Sequence, residues 1–116
     1  MKAMLLIYND EKAWAALPKA QLETEIAAYG AYAEALVTAG KFVTGSELQP
    51  SGTAKSVVVG AEGPRVADGP YVETKEQLGG YFLIEVADMD EAVAWAAKCP
   101  GARHGTVEVR PLMGGA

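Results

Sequence analysis

Cysteine is almost missing from this chain: Cys99 is the only one in 116 residues. No intrachain disulfide can form, and a reducing cytoplasm is the expected setting. Histidine is equally scarce, with His104 the single imidazole. One His and one Cys so close together in sequence do not supply the usual ligand set of a metal site, so no metal is expected. There is no glycine-rich phosphate loop and no nucleophile elbow, and no cofactor is expected either. Basic charge is in deficit: 10 Lys and Arg face 15 Asp and Glu, for a net charge of -5 and a pI near 4.8. Nucleic acid is thereby an unpromising partner, since phosphate binding needs a basic patch. Long apolar runs are also lacking. The run from Ala3 to Tyr8 falls far short of the roughly 20 residues that cross a bilayer. No signal peptide is expected, because no longer apolar stretch follows Met1-Lys2.

What is present is an ordinary globular composition, 50% hydrophobic and 22% charged, of a length that suits one domain over residues 1–116. Its most informative stretch runs from Asp68 to Val86. Asp68-Gly69-Pro70 reads as a tight turn, because Asp bonds local backbone, Gly relaxes φ and Pro fixes it. Glu73, Lys75 and Glu76 form a segment too polar for a core. Gly79-Gly80 permits a close backbone approach or a bend. Tyr81 to Val86 is β-branched and aromatic, as strands are.

Taken in order, Ala3 to Tyr8 is a first strand, apolar on both faces. Asp10 can cap a short helix reaching Trp14. Pro18 opens a long helix over 19–39. Leu22, Ile26, Tyr29, Ala33 and Leu36 form its apolar stripe, with Glu23, Glu25 and Glu34 off the centre. Gly40 closes it. Phe42 to Gln49 is a second strand. Ser56–Val59 and Pro64–Ala67 form a plausible hairpin around Ala61-Glu62-Gly63. After the strand Tyr81–Val86, Asp88 and Glu91 box the start of a second helix. Its core face is Ala92, Val93, Ala96 and Cys99, and Pro100-Gly101 stops it. Thr106 to Leu112 is the last strand.

This order is β-α-β-hairpin-β-α-β, an α+β fold of the ferredoxin-like split type with an inserted hairpin. Two helices cover one face of such a sheet. Alternation sends Val107, Val109, Phe82, Ile84 and Val86 toward the helices. It leaves Met4, Leu6, Tyr8, Tyr81, Leu83, Glu85, Glu108 and Arg110 on the other face. So much apolar surface is not normally left in water, so a homodimer closing sheet on sheet around a semi-polar cavity is expected.

Asp68-Gly69-Pro70-Tyr71-Val72-Glu73-Thr74-Lys75-Glu76-Gln77-Leu78-Gly79-Gly80-Tyr81 resembles the signature of the YCII-related family in its DGPF-domain branch, with Tyr71 where Phe is usual. Met4-Leu5-Leu6-Ile7-Tyr8 and Val107-Glu108-Val109-Arg110-Pro111 resemble the two ends of that domain. The resemblance implies a dimeric α+β barrel, a fold shared with muconolactone isomerases, small haem-degrading monooxygenases and stress-responsive barrel proteins. It implies no single activity. Genes of the branch often lie near those of extracytoplasmic-function sigma factors, which suggests a regulatory link. Many relatives carry a His on the first helix, proposed to work with an acid. Here that position is Glu25, just before Ile26-Ala27-Ala28-Tyr29.

Each candidate site residue has a functional and a plain reading. Asp68 is a general acid or base at a cavity mouth, or only the cap of its turn. Glu73 and Lys75 hold a substrate group or a proton, or form a surface pair. Tyr8, Tyr71 and Tyr81 line a pocket for a flat organic ligand, or pack a dimer. Arg110 binds an anion by its planar fork, or pairs with Glu108 or Glu85. Glu47 is a second acid with no defined partner. His104 sits in Pro-Gly-Ala-Arg-His-Gly, read as a loop, and is either the neutral-pH base or a solvated loop residue. Cys99 faces a helix core and is expected to be inert.

Asp68 and Arg110 are expected to share one pocket, with Tyr81 and Arg110 on neighbouring strands, which would suit a small polar aromatic or carboxylated molecule. Two functions compete: acid-base chemistry on a small organic molecule in the dimer cavity, or a non-catalytic ligand-binding or regulatory dimer. A cavity filled by side chains, giving a scaffold, is a third reading.

Overall fold

A computed structural model describes residues 1–114. Its elements are β1 (Lys2–Asn9), α1 (Glu11–Ala15), α2 (Lys19–Thr38), β2 (Phe42–Glu47), β3 (Lys55–Gly60), β4 (Gly63–Asp68), β5 (Gln77–Glu85), α3 (Met89–Lys98), α4 (Gly101–His104) and β6 (Thr106–Pro111), with a 3-10 turn at Ser51–Thr53. Four strands form an antiparallel sheet in the order β2-β5-β1-β6, and β3-β4 stand apart as a two-stranded hairpin. This is the ferredoxin-like arrangement with an insertion after its second strand, as the element order predicts.

The local signals act as their chemistry requires. Asp10 accepts from the N–H groups of Lys12 and Ala13 at 3.0 and 3.3 Å and so starts α1. Gly40, at φ 74°, follows α2 in the left-handed conformation that glycine adopts without strain. Asp88 accepts from Glu91 N–H at 2.9 Å, and Glu91 accepts from Ala87 N–H at 2.7 Å, closing the start of α3 from both sides.

The core lies between the sheet and the helices. Ala3, Leu5 and Ile7 of β1, Ile84 of β5 and Val86 just beyond it meet Tyr32 and Leu36 of α2, Ala92 and Ala96 of α3, and Cys99. The buried Tyr32 hydroxyl donates to Trp95 O at 2.7 Å. The chain is only 18 Å through its short axis, the thickness of one sheet and one helix layer. Among the described residues, nothing of the chain covers the far face of the sheet.

Four expectations need correction. The apolar stripe of α2 is not seated along its length: only Tyr32 and Leu36 are buried, and Ile26 is 57% exposed. The sheet beneath Ile26, Tyr29 and Ala33 of α2 carries Gly45 and Gly80 in place of larger residues, so the helix has little to rest on there. In α3, Val93 is 52% exposed and Trp95 packs against the core in its place. Pro100-Gly101 does not open a loop, because α4 begins at once and carries His104 at its end. Finally, Tyr81 and Arg110 are not on neighbouring strands. β1 runs between β5 and β6, pairing Leu6 with both Tyr81 and Glu108, and Met4 with both Leu83 and Arg110. Two strand spacings hold Tyr81 and Arg110 roughly 9.5 Å or more apart.

Candidate functional site

α4 is short, but its position is tightly determined. An added side chain at Gly101 would meet Ile7 Cγ2 and the Tyr29 hydroxyl at 2.7 Å, and one at Gly105 would meet Tyr8 O at 2.1 Å. These two glycines let the turn lie directly on β1 and α2. His104, the last residue of that turn, then reaches Glu25 of α2, with Nε2 at 3.1 Å from Oε1. The histidine side chain is 50% exposed, whereas the glutamate is only 12% exposed. The second oxygen, Glu25 Oε2, is buried with no hydrogen-bond partner. Sequence periodicity puts Glu25 at the flank of α2, where a carboxylate would be solvated. The fold instead lays α4 over it.

A cavity of about 190 Å³ opens beside this pair, bordered by Asp10, Gln21 and Trp14 as well as Glu25 and His104. A larger cleft of about 630 Å³ lies between the middle of α2 and the sheet. Ile26, Tyr29, Phe42 and Phe82 supply its apolar surface, and Glu11, Lys12 and Glu47 its charged groups. The larger cleft is thus on the helix face of the sheet, within one protomer, whereas the alternation of strand side chains pointed to the opposite face. Trp14 packs edge-on against Tyr29, with centroids 6.4 Å apart at 72°.

Tyr29 is the clearest electrostatic feature of the cleft. Burial, reinforced by Cys99, Glu25 and Glu47, raises its pKa to about 12. It is a neutral hydroxyl at physiological pH, able to donate a hydrogen bond. Burial likewise raises the thiol of Cys99, which sits in the core.

The other predicted site residues are scattered. Asp68 ends β4 and pairs with Lys55 across the hairpin, with 84% of its side chain exposed. The turn after it is held by Gly69 N–H donating to Ala54 O at 2.7 Å and by Ser56 Oγ donating to Gly69 O at 2.9 Å. Glu73 and Lys75 are exposed in the following loop, and Tyr71 is 86% exposed. Arg110 pairs with Glu108 on the uncovered sheet face. Tyr8 lies in β1 beside Thr106 and Leu78. Within a protomer, Asp68 and Arg110 line neither cavity. Of the candidates, only Glu47 and Tyr81 border the large cleft and only His104 the small one.

Trp14, Asn9 and Tyr29 lacked a functional reading, and Glu25 had one only as a departure from a pattern. The i, i+4 spacing of Glu25 and Tyr29 was the available signal, since such residues stack on one helix face. Among the described residues, no three His, Cys, Asp or Glu side chains converge to hold a metal ion, and no helix is long and apolar enough to cross a membrane.

Comparison with known proteins agrees with this architecture. The chain is 38% identical over 110 residues to an uncharacterised protein of Rhizobium meliloti strain 1021, covering 93% of this chain and 89% of that one. Its fold is similar, with a TM-score of 0.55 and 16% identity, to the solved structure of the 5-chloro-2-hydroxyhydroquinone dehydrochlorinase of Burkholderia phenoliruptrix AC1100 in complex with 2,5-dihydroxybenzoquinone. That likeness covers 97% of this chain and 93% of the other. The sequence model of the YCII-related domain matches residues 1–114, and the chain belongs to the YCII-related family.

Proposed function

We propose that this protein is a small enzyme that transfers a proton on a small organic molecule, with Glu25 and His104 as the working pair. The observation that carries this reading is the unpartnered Glu25 Oε2, buried beside a cavity while Oε1 holds His104. Leaving a buried carboxylate oxygen unsatisfied costs stability, on the order of 1–3 kcal/mol or more. A group with no other task would be replaced by an apolar one at no loss. Its retention is accounted for by the other oxygen, which holds the half-exposed His104 imidazole at the cavity.

In this arrangement Glu25 fixes the imidazole through Nε2. Nδ1 is left as the base that takes the substrate proton and later returns it. Tyr29, kept neutral by burial, is a further donor in the adjoining cleft. The similar solved fold holds a small cyclic organic ligand, and a ligand of that size suits the cavities here.

The working assembly is a homodimer formed through the uncovered sheet face, where Met4, Leu6, Leu83 and Tyr81 stand in adjacent register. Asp68, Tyr71, Glu73, Lys75 and Arg110, remote from the dyad within one protomer, act if at all across that interface.

The test is a turnover screen of small hydroxylated organic molecules against the wild type, Glu25→Gln and His104→Gln. General acid-base catalysis predicts a loss of about 10²–10⁴-fold in each variant with the fold intact. Equal turnover in all three would end the proposal. Binding without turnover would favour a ligand-binding dimer.

A further inference from the structure

The β3–β4 hairpin takes no part in either cavity. Its strands pair only with each other, in the register Val57↔Val66, Val58↔Arg65 and Val59↔Pro64. Among the described residues, neither strand has more than marginal contact with another helix or strand. Alternation puts Val57, Val59, Pro64 and Val66 on one face and Val58 and Arg65 on the other. Val57, Val59 and Val66 are 59%, 73% and 61% exposed. A two-stranded hairpin standing alone is marginal in water, and a contiguous exposed apolar face marks a surface that binds something.

The size of the chain points to the occupant. Its radius of gyration is 16.1 Å, against about 13 Å for a compact chain of 116 residues. It exposes 7682 Å², whereas a compact monomer of 12.1 kDa exposes roughly 6,000 Å². That excess is about twice the roughly 800 Å² that one partner contributes to a standard interface. One face of a four-stranded sheet with strands of this length presents only about 500 Å² in plan, so the uncovered sheet face is not the whole of it. The hairpin leaves the sheet from its edge strand β2 and returns into β5, so its base lies at the rim of that face. A surface this large needs cover whenever the chain folds, and the molecule always at hand is a second copy. A symmetric pair covers both valine faces at once.

We propose that the β3–β4 hairpin is a dimerisation arm: each hairpin lays its Val57, Val59, Pro64 and Val66 face on the other protomer, beside the sheet-to-sheet contact. This rests on the homodimer stated under the proposed function and adds the surface that holds it together. Val58 and Arg65 stay on the solvent side of the arm.

The test is sedimentation equilibrium of the full chain as wild type, Val59→Glu and Val58→Glu, together with isotope-filtered NMR of labelled and unlabelled wild-type chains after subunit exchange. Both positions are at least half exposed in one protomer, so a carboxylate at either costs a lone chain little. Val59→Glu is expected to raise the dimer dissociation constant about tenfold or more, since a buried valine contact is exchanged for a buried charge. Val58→Glu, beside Arg65 on the other face, is expected to change it by less than about threefold. Val59→Thr, β-branched and uncharged, should fall between wild type and Val59→Glu, so that loss of the contact is told from loss of the hairpin. In the mixed sample the methyl groups of Val57, Val59 and Val66 should show contacts to the other chain.

No effect of Val59→Glu, equal effects of Val59→Glu and Val58→Glu, or a dimer whose valine methyls touch only their own chain would overturn the arm while leaving the sheet-to-sheet dimer standing. A wild-type chain that is a monomer at micromolar concentration would overturn arm and dimer together and leave proton transfer by Glu25 and His104 untouched.

Discussion

His104 Nε2 lies 3.1 Å from Glu25 Oε1 although 79 residues separate them. The contact joins the end of a four-residue helical turn to the flank of the longest helix. It exists because Gly101 and Gly105 allow that turn to touch β1. The carboxylate is buried deeply enough to need a partner at both oxygens and has one at a single oxygen. That imbalance leads to the first prediction.

Glu25→Met should not destabilise the protein and should raise its stability by about 1 kcal/mol, because an unsatisfied buried carboxylate is exchanged for a side chain that packs. His104 is half exposed and can be solvated without its partner. The midpoint of urea denaturation reports the change. A loss of about 3 kcal/mol or more, the usual result of breaking a structural buried pair, would make the dyad a structural feature.

Gly101→Ala and Gly105→Ala should both destabilise, the second more than the first. The Gly101 methyl collides with side-chain atoms of Ile7 and Tyr29 and not with backbone. The Gly105 methyl collides with the carbonyl of Tyr8, which cannot move without distorting β1. Overpacking of this kind costs about 1–3 kcal/mol. Denaturant unfolding gives the order, and loss of the His104–Glu25 contact in the Gly105 variant follows from the same displacement.

Alkaline pH should destabilise the fold through Tyr29. Its folded pKa of about 12 exceeds the ordinary value of 10.0, so the folded state holds its proton more tightly than the unfolded one. The stabilisation is complete below pH 10 and is lost as pH rises toward 12. Tyr32, raised by burial and in the same direction, adds to it. Tyrosinate absorbance followed with pH should show late ionisation in the native protein. In Tyr29→Phe the decline of stability above pH 10 should be shallower.

Leu6→Glu should convert a dimer into monomers at micromolar concentration. Leu6 sits in the central strand of the uncovered face, opposite Tyr81 on one side and Glu108 on the other. A carboxylate buried there without a partner is strongly unfavourable. Sedimentation velocity reads the outcome, and a wild-type chain that already sediments as a monomer would remove the interface from the proposal.

Asp88→Ala should cost about 1 kcal/mol by removing the N-cap of α3. The N–H of Ala87, and Lys41 after it, hold the Glu91 carboxyl below its usual pKa. Protonation of Glu91 at acid pH should therefore loosen the same helix start, and stability should fall as pH drops through that lowered value. Thermal unfolding of Asp88→Ala at neutral pH checks the first effect, and the acid limb of the wild type the second.

The elements and their order were legible because their causes are local. Asp10, Pro18, Gly40 and Asp88 start or stop helices through their own side chains and φ angles. The alternation in β1, β5 and β6 separates core from outer face over two-residue steps. Even the sheet order follows from topology once the elements are named. Tyr81 and Arg110 stand apart because β1 is inserted between their strands.

The site was not legible, because it depends on what fails to touch as much as on what does. Nothing in the periodicity of α2 shows that its middle stands off the sheet. That gap arises where Gly45 of β2 and Gly80 of β5 lie beneath it. Glu25 reads as a flank residue until α4 covers it, and His104 reads as a loop residue until Gly101 and Gly105 let the chain pack closely enough to form a turn against β1. The sequence by itself determined which segments are helix and strand and which faces are apolar, because these depend on neighbours within a few residues. Only the tertiary structure decided where space was left, and which acid and which base met beside it, because burial and contact belong to the packed chain.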